Sequence, residues 1–262
     1  MMDVKFNVAY TTDLLIFGID SRKNANTRSL PKKFFSILLV KRNKEPFMNK
    51  WCLPGGFIES DETSKNASSR VLKKETGLTN VYMQQLKVND SVDRDPRGRV
   101  VSVSYMALID RTLLTGDLSI DASWFDIEVI EDGENYIVNL TNGEINLNFK
   151  VKRNVVDLKS EEYSYEVINK SDLAFDHEKL IIEGIMALRD KVNKTDIVFN
   201  LMPQEFTIGE LKQVYELILN KKLVNSAFRR TIADKVLLLD KMVQTGGHRP
   251  SVLCKYNEKR EK

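Results

Sequence analysis

Charged side chains follow a glycine turn between residues 54 and 78, at a spacing that suits a phosphate-bearing ligand. Glycine has no side chain, so the backbone at Gly55 and Gly56 can approach a ligand closely. A helix is predicted next, and it brings Arg70, Lys74 and Glu75 to one face because residues three and four positions apart are neighbours on its surface. Guanidinium and ammonium groups pair well with phosphate oxygens. We therefore expect these five residues to contact the ligand.

The same residues also admit a purely structural role. Arg70 could form an ion pair with Glu62 or Glu75 that fixes the preceding loop against the helix. A tight turn alone would also require the two consecutive glycines. The sequence leaves both alternatives open, so the ligand contacts are an expectation that the tertiary structure has to test.

Residues 56–78 follow the pattern G-x5-E-x7-R-V-L-K-K-E-T-G-L. This pattern resembles the Nudix box, G-x5-E-x7-R-E-U-x-E-E-x-G-U, in which U is an aliphatic residue. The resemblance implies a Nudix fold, an α/β/α sandwich within the α+β class. Seven fixed positions agree over 23 residues: Gly56, Glu62, Arg70, Leu72, Glu75, Gly77 and Leu78.

The departures from the box bear on catalysis. In Nudix hydrolases three glutamates of the helix hold divalent metal, and they correspond here to Val71, Lys74 and Glu75. Val71 offers no oxygen, and Lys74 places an ammonium beside the cation, where each pair of unit charges interacts by ~4 kcal/mol at ~4 Å and an effective dielectric of ~20. The catalytic set is thus not intact. We expect no required cofactor, weak metal binding at most through Glu62 and Glu75, and a role for Mg²⁺ only in a residual hydrolase.

A second polar segment, residues 93–99, precedes a predicted strand. Its three arginines, Arg94, Arg97 and Arg99, could clamp phosphates at the mouth of a cleft. A charged surface turn is the alternative for the same segment. His177 begins a predicted helix, and we expect it to satisfy the start of that helix rather than to catalyse a reaction.

The first half of the chain is predicted to form strands around one helix. The helix is predicted over residues 61–75 and ends at Gly77. Residues 21–33 are polar and indicate a loop. A second, amphipathic helix is predicted over residues 177–192. Strands are predicted over residues 8–18, 34–41, 100–110, 136–140 and 145–151, the last two forming a hairpin around Asn142 and Gly143.

The end of the chain has the layout of a winged helix-turn-helix. Thr207 and Glu210 form a capping box before a helix that continues to Ile218. A second helix is predicted over residues 226–235, with Phe228 and Ile232 on its buried side. Two strand-like runs, 236–239 and 251–256, then flank a basic loop, as in a wing.

The charge is divided unevenly along the chain. Residues 221–262 carry 11 Lys and Arg against 4 Asp and Glu, a balance of +7. The net charge of the whole chain is +3, so the other 220 residues carry −4. A basic end on a slightly acidic body indicates a polyanion partner for that end, although a solvated basic surface would have the same composition.

Composition excludes several classes of protein. The chain has 262 residues, 42% hydrophobic and 29% charged, and no apolar stretch approaches the ~20 residues that a membrane span needs. Cys52 and Cys254 lie 202 positions apart, which argues against a disulfide scaffold or a zinc site. No basic region followed by an apolar stretch opens the sequence. We expect a cytoplasmic protein without membrane contact, divided into domains 1–193 and 194–262.

A degenerate Nudix box followed by a winged helix resembles the Nudix-related transcriptional regulators, the NrtR family. The segments 40–42, 51–57, 93–99, 174–177 and 199–207 carry the same resemblance. It implies a homodimer that binds double-stranded operator DNA and senses ADP-ribose, a related nucleotide or a pentose. Members of this family generally repress operons of NAD biosynthesis, and some relatives control sugar utilisation.

The resemblance also assigns the DNA-binding residues. The recognition helix corresponds to residues 226–235, and Arg229 and Arg230 are the side chains most expected to reach DNA. Arginine can bind a guanine edge or a phosphate. The complete predicted set of DNA contacts is Ser226, Arg229, Arg230, Lys235, His248 and Arg249.

Three functions from different classes remain open at this point. The favoured one is a ligand-responsive repressor. The alternative is an active, Mg²⁺-dependent Nudix hydrolase similar to an ADP-ribose pyrophosphatase, with an accessory winged helix. The third is a protein-interaction module whose wing binds a partner instead of DNA. Steep salt dependence of binding to a promoter would favour the first over the third.

Overall fold

The computed structural model describes residues 8–22, 31–244 and 250–259. The first part of the chain contains β1 (Ala9–Arg22), β2 (Lys32–Lys41), β3 (Trp51–Cys52), β4 (Gly55–Phe57), α1 (Ser64–Thr76), β5 (Tyr82–Asn89), β6 (Val100–Asp110) and β7 (Ala122–Asp132). The second part contains β8 (Asn135–Thr141), β9 (Asn146–Asp157), β10 (Glu162–Asn169), α2 (His177–Lys194), β11 (Phe206–Thr207), α3 (Ile208–Leu219), α4 (Asn225–Ile232), β12 (Val236–Val243) and β13 (Ser251–Tyr256).

A large twisted sheet forms the body, with strands in the order β10-β9-β8-β7-β2-β1-β6-β5, and with β3 beside β2 and β4 beside β1. Strands β1 and β6 are parallel, and the other paired strands are antiparallel. Side chains of β1 alternate between two buried faces. This explains the continuous apolar run of residues 14–19 within β1.

Helices cover both faces of this sheet. Leu14 and Ile16 of β1 pack in one core with residues of α1, and the intervening Leu15 packs in a second core with residues of α2. Gly184 lets α2 approach β1, because a Cβ at this position would collide with the side chain of Leu15. The predicted α/β/α sandwich is confirmed.

The structure contains helix α1 and the hairpin turn at Gly143 as predicted, although α1 begins at a later residue. Helix α1 starts three residues later than predicted, because Thr63 is its N-cap and accepts a hydrogen bond from the Asn66 amide. Gly77 ends it in the left-handed conformation with φ 72°, as predicted. Gly143 likewise supplies the positive φ, 93°, in the hairpin between β8 and β9.

Two predictions about the body are corrected. The expected loop 21–33 is shorter, because the ladder between β1 and β2 continues to the pair of Arg22 and Lys32. Arg22 is also held by two hydrogen bonds to Asp126 on β7. Strands β5, β7 and β10 had no counterparts among the predicted strands, and β5 and β10 form the two edges of the sheet.

The C-terminal part contains a three-stranded sheet in the order β11-β13-β12, together with α3 and α4. The capping box of Thr207 and Glu210 is present. The apolar residues of this C-terminal part continue the core that α2 shares with the large sheet. The division near residue 194 stays a prediction. Within the described residues, none of the helices combines the length and the apolar character needed to cross a membrane.

Candidate ligand cleft and DNA-binding surface

A cleft of about 290 Å³ opens beside the glycine turn, at the edge where β1, β2 and α1 meet. The segment 94–97 and the start of α2 close its other sides. Its lining therefore gathers residues that lie far apart in the sequence. Among them are Asp13, Lys41, Arg42, Gly55, Gly56, Phe57, Lys74, Glu75, Arg94, Arg97, Asp121, Phe175 and His177.

Asp13 lies at the centre of a buried network in the floor of this cleft. Its carboxylate accepts a hydrogen bond of 2.9 Å from Arg94 Nη2 and one of 2.7 Å from Ser102 Oγ. His177 Nε2 lies 3.6 Å from Asp13 Oδ1. Burial alone would raise the pKa of Asp13, but His177, Arg94 and Ser102 outweigh it and hold this pKa well below its usual range. The carboxylate is thus a fixed negative charge.

His177 and Asp13 also fix the glycine turn. The amide of Leu53 donates to His177 Nδ1 over 2.9 Å, so the ring proton lies on Nε2, toward Asp13. Gly55 packs directly on β1, because a Cβ there would lie 2.6 Å from the carbonyl oxygen of Thr12. Close approach to the neighbouring strand therefore requires Gly55, whereas a Cβ at Gly56 would make only an ordinary contact with Val71.

Arg70 has the structural role. Its guanidinium donates two hydrogen bonds to Glu62 and one of 3.1 Å to the carbonyl of Phe57, and it lies 3.6 Å from Glu59. The hydrogen bond from Arg70 lowers the pKa of Glu62. Arg70 does not line the cleft. The ion pair with Glu62 thus replaces the predicted ligand contact.

The remaining positions of the box do not fit a divalent cation. Glu75 is buried, and its two carboxylate oxygens accept hydrogen bonds from Lys74 Nζ, at 2.7 Å, and from Ser119 Oγ. Val71 is buried in the apolar core beneath α1. No group of three or more His, Cys, Asp or Glu residues that could hold a metal occurs in ranges 8–22, 31–244 and 250–259. With Glu62 bound to Arg70, the weak metal site considered for Glu62 and Glu75 is not assembled.

The three arginines of segment 93–99 differ in their partners and in their position relative to the cleft. Arg94 is buried and also makes two hydrogen bonds to Asp176, so it stabilises the floor of the cleft. Arg97 binds Asp95 through two hydrogen bonds and faces the cleft. Arg99 donates to the carbonyl of Asp90 and is not among the cleft's lining residues.

Aromatic residues that the sequence did not single out complete the cleft. The guanidinium of Arg97 lies 5.3 Å from the ring centre of Phe57 and 5.8 Å from that of Phe175. Arg42 lies 4.8 Å from the ring centre of Phe175. Flat rings and guanidinium groups of this kind stack on other planar groups. Phe57 and Phe175 lie in two segments that carry the family resemblance, 51–57 and 174–177, and this resemblance was the available sequence signal.

Helix α4 presents a basic surface. Phe228 and Ile232 are buried, as predicted, and the ring of Phe228 packs edge-on against Tyr215 of α3 at 5.2 Å. Arg229 and Arg230 are exposed, and neither forms an ion pair among the described residues. The exposed face of α4 also contains Ser226.

The other predicted DNA contacts differ. Helix α4 ends at Ile232, so Lys235 lies outside the recognition helix. Its ammonium is bound to Asp196 at 2.9 Å, with only 16% of the side chain exposed. This corrects the expectation that Lys235 faces DNA. His248 and Arg249 lie outside the described residues.

Known domain families match the two parts of the chain. The Nudix domain family matches residues 27–141, and the NrtR DNA-binding winged helix domain family matches residues 198–256. Strands β9 and β10 and helix α2 lie between the two matched segments. The chain therefore combines a Nudix domain with a winged helix domain of the NrtR type.

Individual proteins extend this similarity. The ADPR responsive transcriptional repressor NtrR of Acinetobacter baylyi is 29% identical over 251 residues, which cover 94% of this chain and 81% of the relative. An ADP-ribose pyrophosphatase of Methanocaldococcus jannaschii is 44% identical over 92 residues, 35% of this chain and 54% of that protein. The crystal structure of Shewanella oneidensis NrtR complexed with a 27mer DNA has the same fold, with a TM-score of 0.64 and 24% identity, covering 95% of this chain and 93% of the other.

Proposed function

We propose that this chain, which joins a Nudix domain to an NrtR-type winged helix domain, is a transcriptional repressor whose binding to operator DNA responds to ADP-ribose. The observation that supports this proposal most is the pair of exposed arginines on α4, Arg229 and Arg230, within the matched winged helix domain; neither forms an ion pair with another residue of ranges 8–22, 31–244 and 250–259. The Acinetobacter baylyi relative, similar along most of its length, is named as an ADPR responsive repressor.

The cleft suits a nucleoside diphosphate sugar. Lys74 lines it with a side chain that is 73% exposed, so its ammonium can turn toward a diphosphate. Arg42 and Lys41 add positive charge to the lining of the cleft. The ring of Phe175 offers a planar surface on which a base can stack. A related nucleotide or a free pentose would use only some of these features.

The DNA-binding unit acts as a homodimer in this proposal, because a two-fold symmetric protein matches a palindromic operator. Residues 1–193 form the sensing domain and residues 194–262 the DNA-binding domain. The basic excess of residues 221–262 then attracts the phosphate backbone, while α4 enters the major groove.

Fluorescence anisotropy with the DNA upstream of the chain's own operon tests the function. We expect binding that weakens steeply with salt and an affinity that changes when ADP-ribose is added, with AMP, ribose 5-phosphate and arabinose as comparison ligands. A reporter gene under this promoter should be less active when the protein is present. Binding without salt dependence, or to a protein partner only, would instead support an interaction module.

An active hydrolase is the second candidate. The identity to an ADP-ribose pyrophosphatase over 92 residues favours it, while the ammonium of Lys74 on Glu75 opposes it. Purified protein with ADP-ribose and Mg²⁺, followed by chromatography of AMP and ribose 5-phosphate, decides between the two. Turnover abolished by chelation would show that Mg²⁺ serves a residual hydrolase, and we expect none.

A further inference from the structure

Helix α3, the first helix of the helix-turn-helix, is bound at its N-terminus to a strand of the Nudix domain. Lys33 of β2 is 8% exposed, and its ammonium lies 3.0 Å from Glu210 Oε1. The other oxygen of Glu210 accepts the amide of Thr207 at 2.9 Å and so completes the capping box. The main-chain amide of Lys33 also donates to Gln213, over 3.3 Å. One lysine thus links β2 to the first turn of α3.

The C-terminus of α3 is bound to two further elements of the sensing part. Asn220, in the left-handed conformation at the helix end, donates to the carbonyl of Val129 on β7 over 3.0 Å. Arg189 of α2 donates to the carbonyl of Ile218 over 2.8 Å. Both ends of α3 therefore depend on side-chain hydrogen bonds across the junction.

Each of these three elements also reaches the ligand cleft. Val40 and Lys41 at the far end of β2 line it, about 23 and 26 Å from Lys33 at roughly 3.3 Å per residue. Strand β7 begins immediately after Asp121, and α2 begins with His177, and both of these residues line the cleft. A ligand in the cleft thus touches the opposite ends of the elements that hold α3.

The junction has room for a displacement. An open pocket of about 400 Å³ lies between α3 and strands β2 and β7, and it is lined by Lys33, Val129, Arg189, Ile218 and Asn220. Close-packed interfaces resist small shifts, whereas an open pocket at this junction leaves space into which α3 can move. Helix α3 packs on α4 through Tyr215 and Phe228, so a shift of α3 would move Arg229 and Arg230.

We propose that the Lys33–Glu210 ion pair is the positioning contact through which occupancy of the cleft sets the orientation of the recognition helix. This inference rests on the proposed function, since it concerns how the response to ADP-ribose reaches DNA. Lys33 and Glu210 do not line the cleft and lie outside α4. Their role is in the coupling between the two binding events, which is a measurable quantity distinct from either affinity.

The test measures that coupling in full-length variants. Operator affinity is measured without and with saturating ADP-ribose, and ADP-ribose affinity is measured by calorimetry without DNA. Couplings of this kind are typically about 5- to 150-fold. We expect Lys33→Met and Glu210→Gln to reduce the ratio of the two operator affinities towards 1, with ADP-ribose affinity within about 2-fold of wild type, and Lys33→Arg to retain the ratio.

Matched variants keep the outcome clear. Glutamine at position 210 can still complete the capping box, so Glu210→Gln decides the matter if Lys33→Met does not fold. Lys87→Met removes the pair of Lys87 with Glu183, which does not involve α3, and should leave the ratio unchanged. If both test variants have the same ratio of operator affinities as wild type, the coupling role alone is overturned. If the wild-type protein itself has a ratio of 1, the proposed response to ADP-ribose is overturned, and the coupling role with it.

Discussion

Arg94 is the counter-ion of Asp13 at the floor of the cleft, with 2.9 Å between Nη2 and Oδ2. Both side chains are buried, and the same guanidinium binds Asp176 at the start of α2. The pair joins β1, the segment before β6 and α2 around a largely buried charge. The cleft therefore owes its shape to buried ion pairs, and its stability should depend on them.

Replacement of Arg94 by Ala should destabilise the fold by about 3–5 kcal/mol, because Asp13 and Asp176 would keep their charge without a partner. Urea denaturation measures this loss. Arg99→Ala is the control, since Arg99 contacts the surface carbonyl of Asp90, and it should cost no more than about 1 kcal/mol. Equal effects of the two variants would contradict the role given to Arg94.

Acid should remove the contribution of Asp13. Its folded pKa lies below the unfolded value of about 3.9, so the carboxylate stabilises the fold above pH 4, and this stability is lost as the pH falls toward the folded pKa. The free energy of unfolding of wild type should therefore decrease more steeply between pH 4 and pH 3 than that of Asp13→Asn, by up to about 1.4 kcal/mol per pH unit. Identical slopes would exclude this role. Asp61→Asn, at an exposed position, should behave as wild type.

Restoring the missing carboxylates should create a metal site. Val71 is buried, so the Val71→Glu, Lys74→Glu variant should melt at a lower temperature than wild type. Mg²⁺ should raise this melting temperature, by the equivalent of about 2.7 kcal/mol at about 100 times the Kd. Wild type should not respond. Addition of Glu75→Gln should weaken the response, and an equal Mg²⁺ effect on wild type would show that Lys74 does not exclude the ion.

Arg229→Ala and Arg230→Ala should separate phosphate contacts from base contacts. A lost phosphate contact should weaken binding to all sequences and lower the salt slope by about 1. A lost contact to guanine should cost about 1–3 kcal/mol on the operator and little on other DNA. Lys159→Ala, an exposed charge between β9 and β10, serves as the control. Unchanged affinity in both arginine variants would remove α4 as the recognition helix.

Neither cysteine should react in the folded protein. Burial raises the pKa of the Cys52 and Cys254 thiols to about 11, so at pH 8 about one thiol in a thousand is a thiolate. The Cys254 thiol also donates to the carbonyl of Phe206 over 3.1 Å. A thiol-specific chromophore should label two groups after denaturation and react slowly before it. Rapid labelling of the native chain would contradict this burial.

Local features were readable from the sequence. The positive φ of Gly77 and Gly143, the capping box at Thr207 and the buried pair Phe228 and Ile232 depend on residues at most four positions away. Spacing records such relationships directly. The Nudix box is also a local pattern, and it predicted both the fold of the body and the loss of the metal ligands at Val71 and Lys74.

The contacts that decide function join residues far apart in the chain. Asp13 meets Arg94 across 81 positions, and Lys33 of β2 meets Glu210 at the start of α3. Arg70 forms an ion pair with Glu62, and Lys235 forms one with Asp196. The sequence shows that a side chain is charged but not which residue it pairs with. Burial and strand order determine that partner. Local spacing is therefore enough to predict the two domain types and their order, whereas long-range packing determines which charges remain available for ligand and DNA.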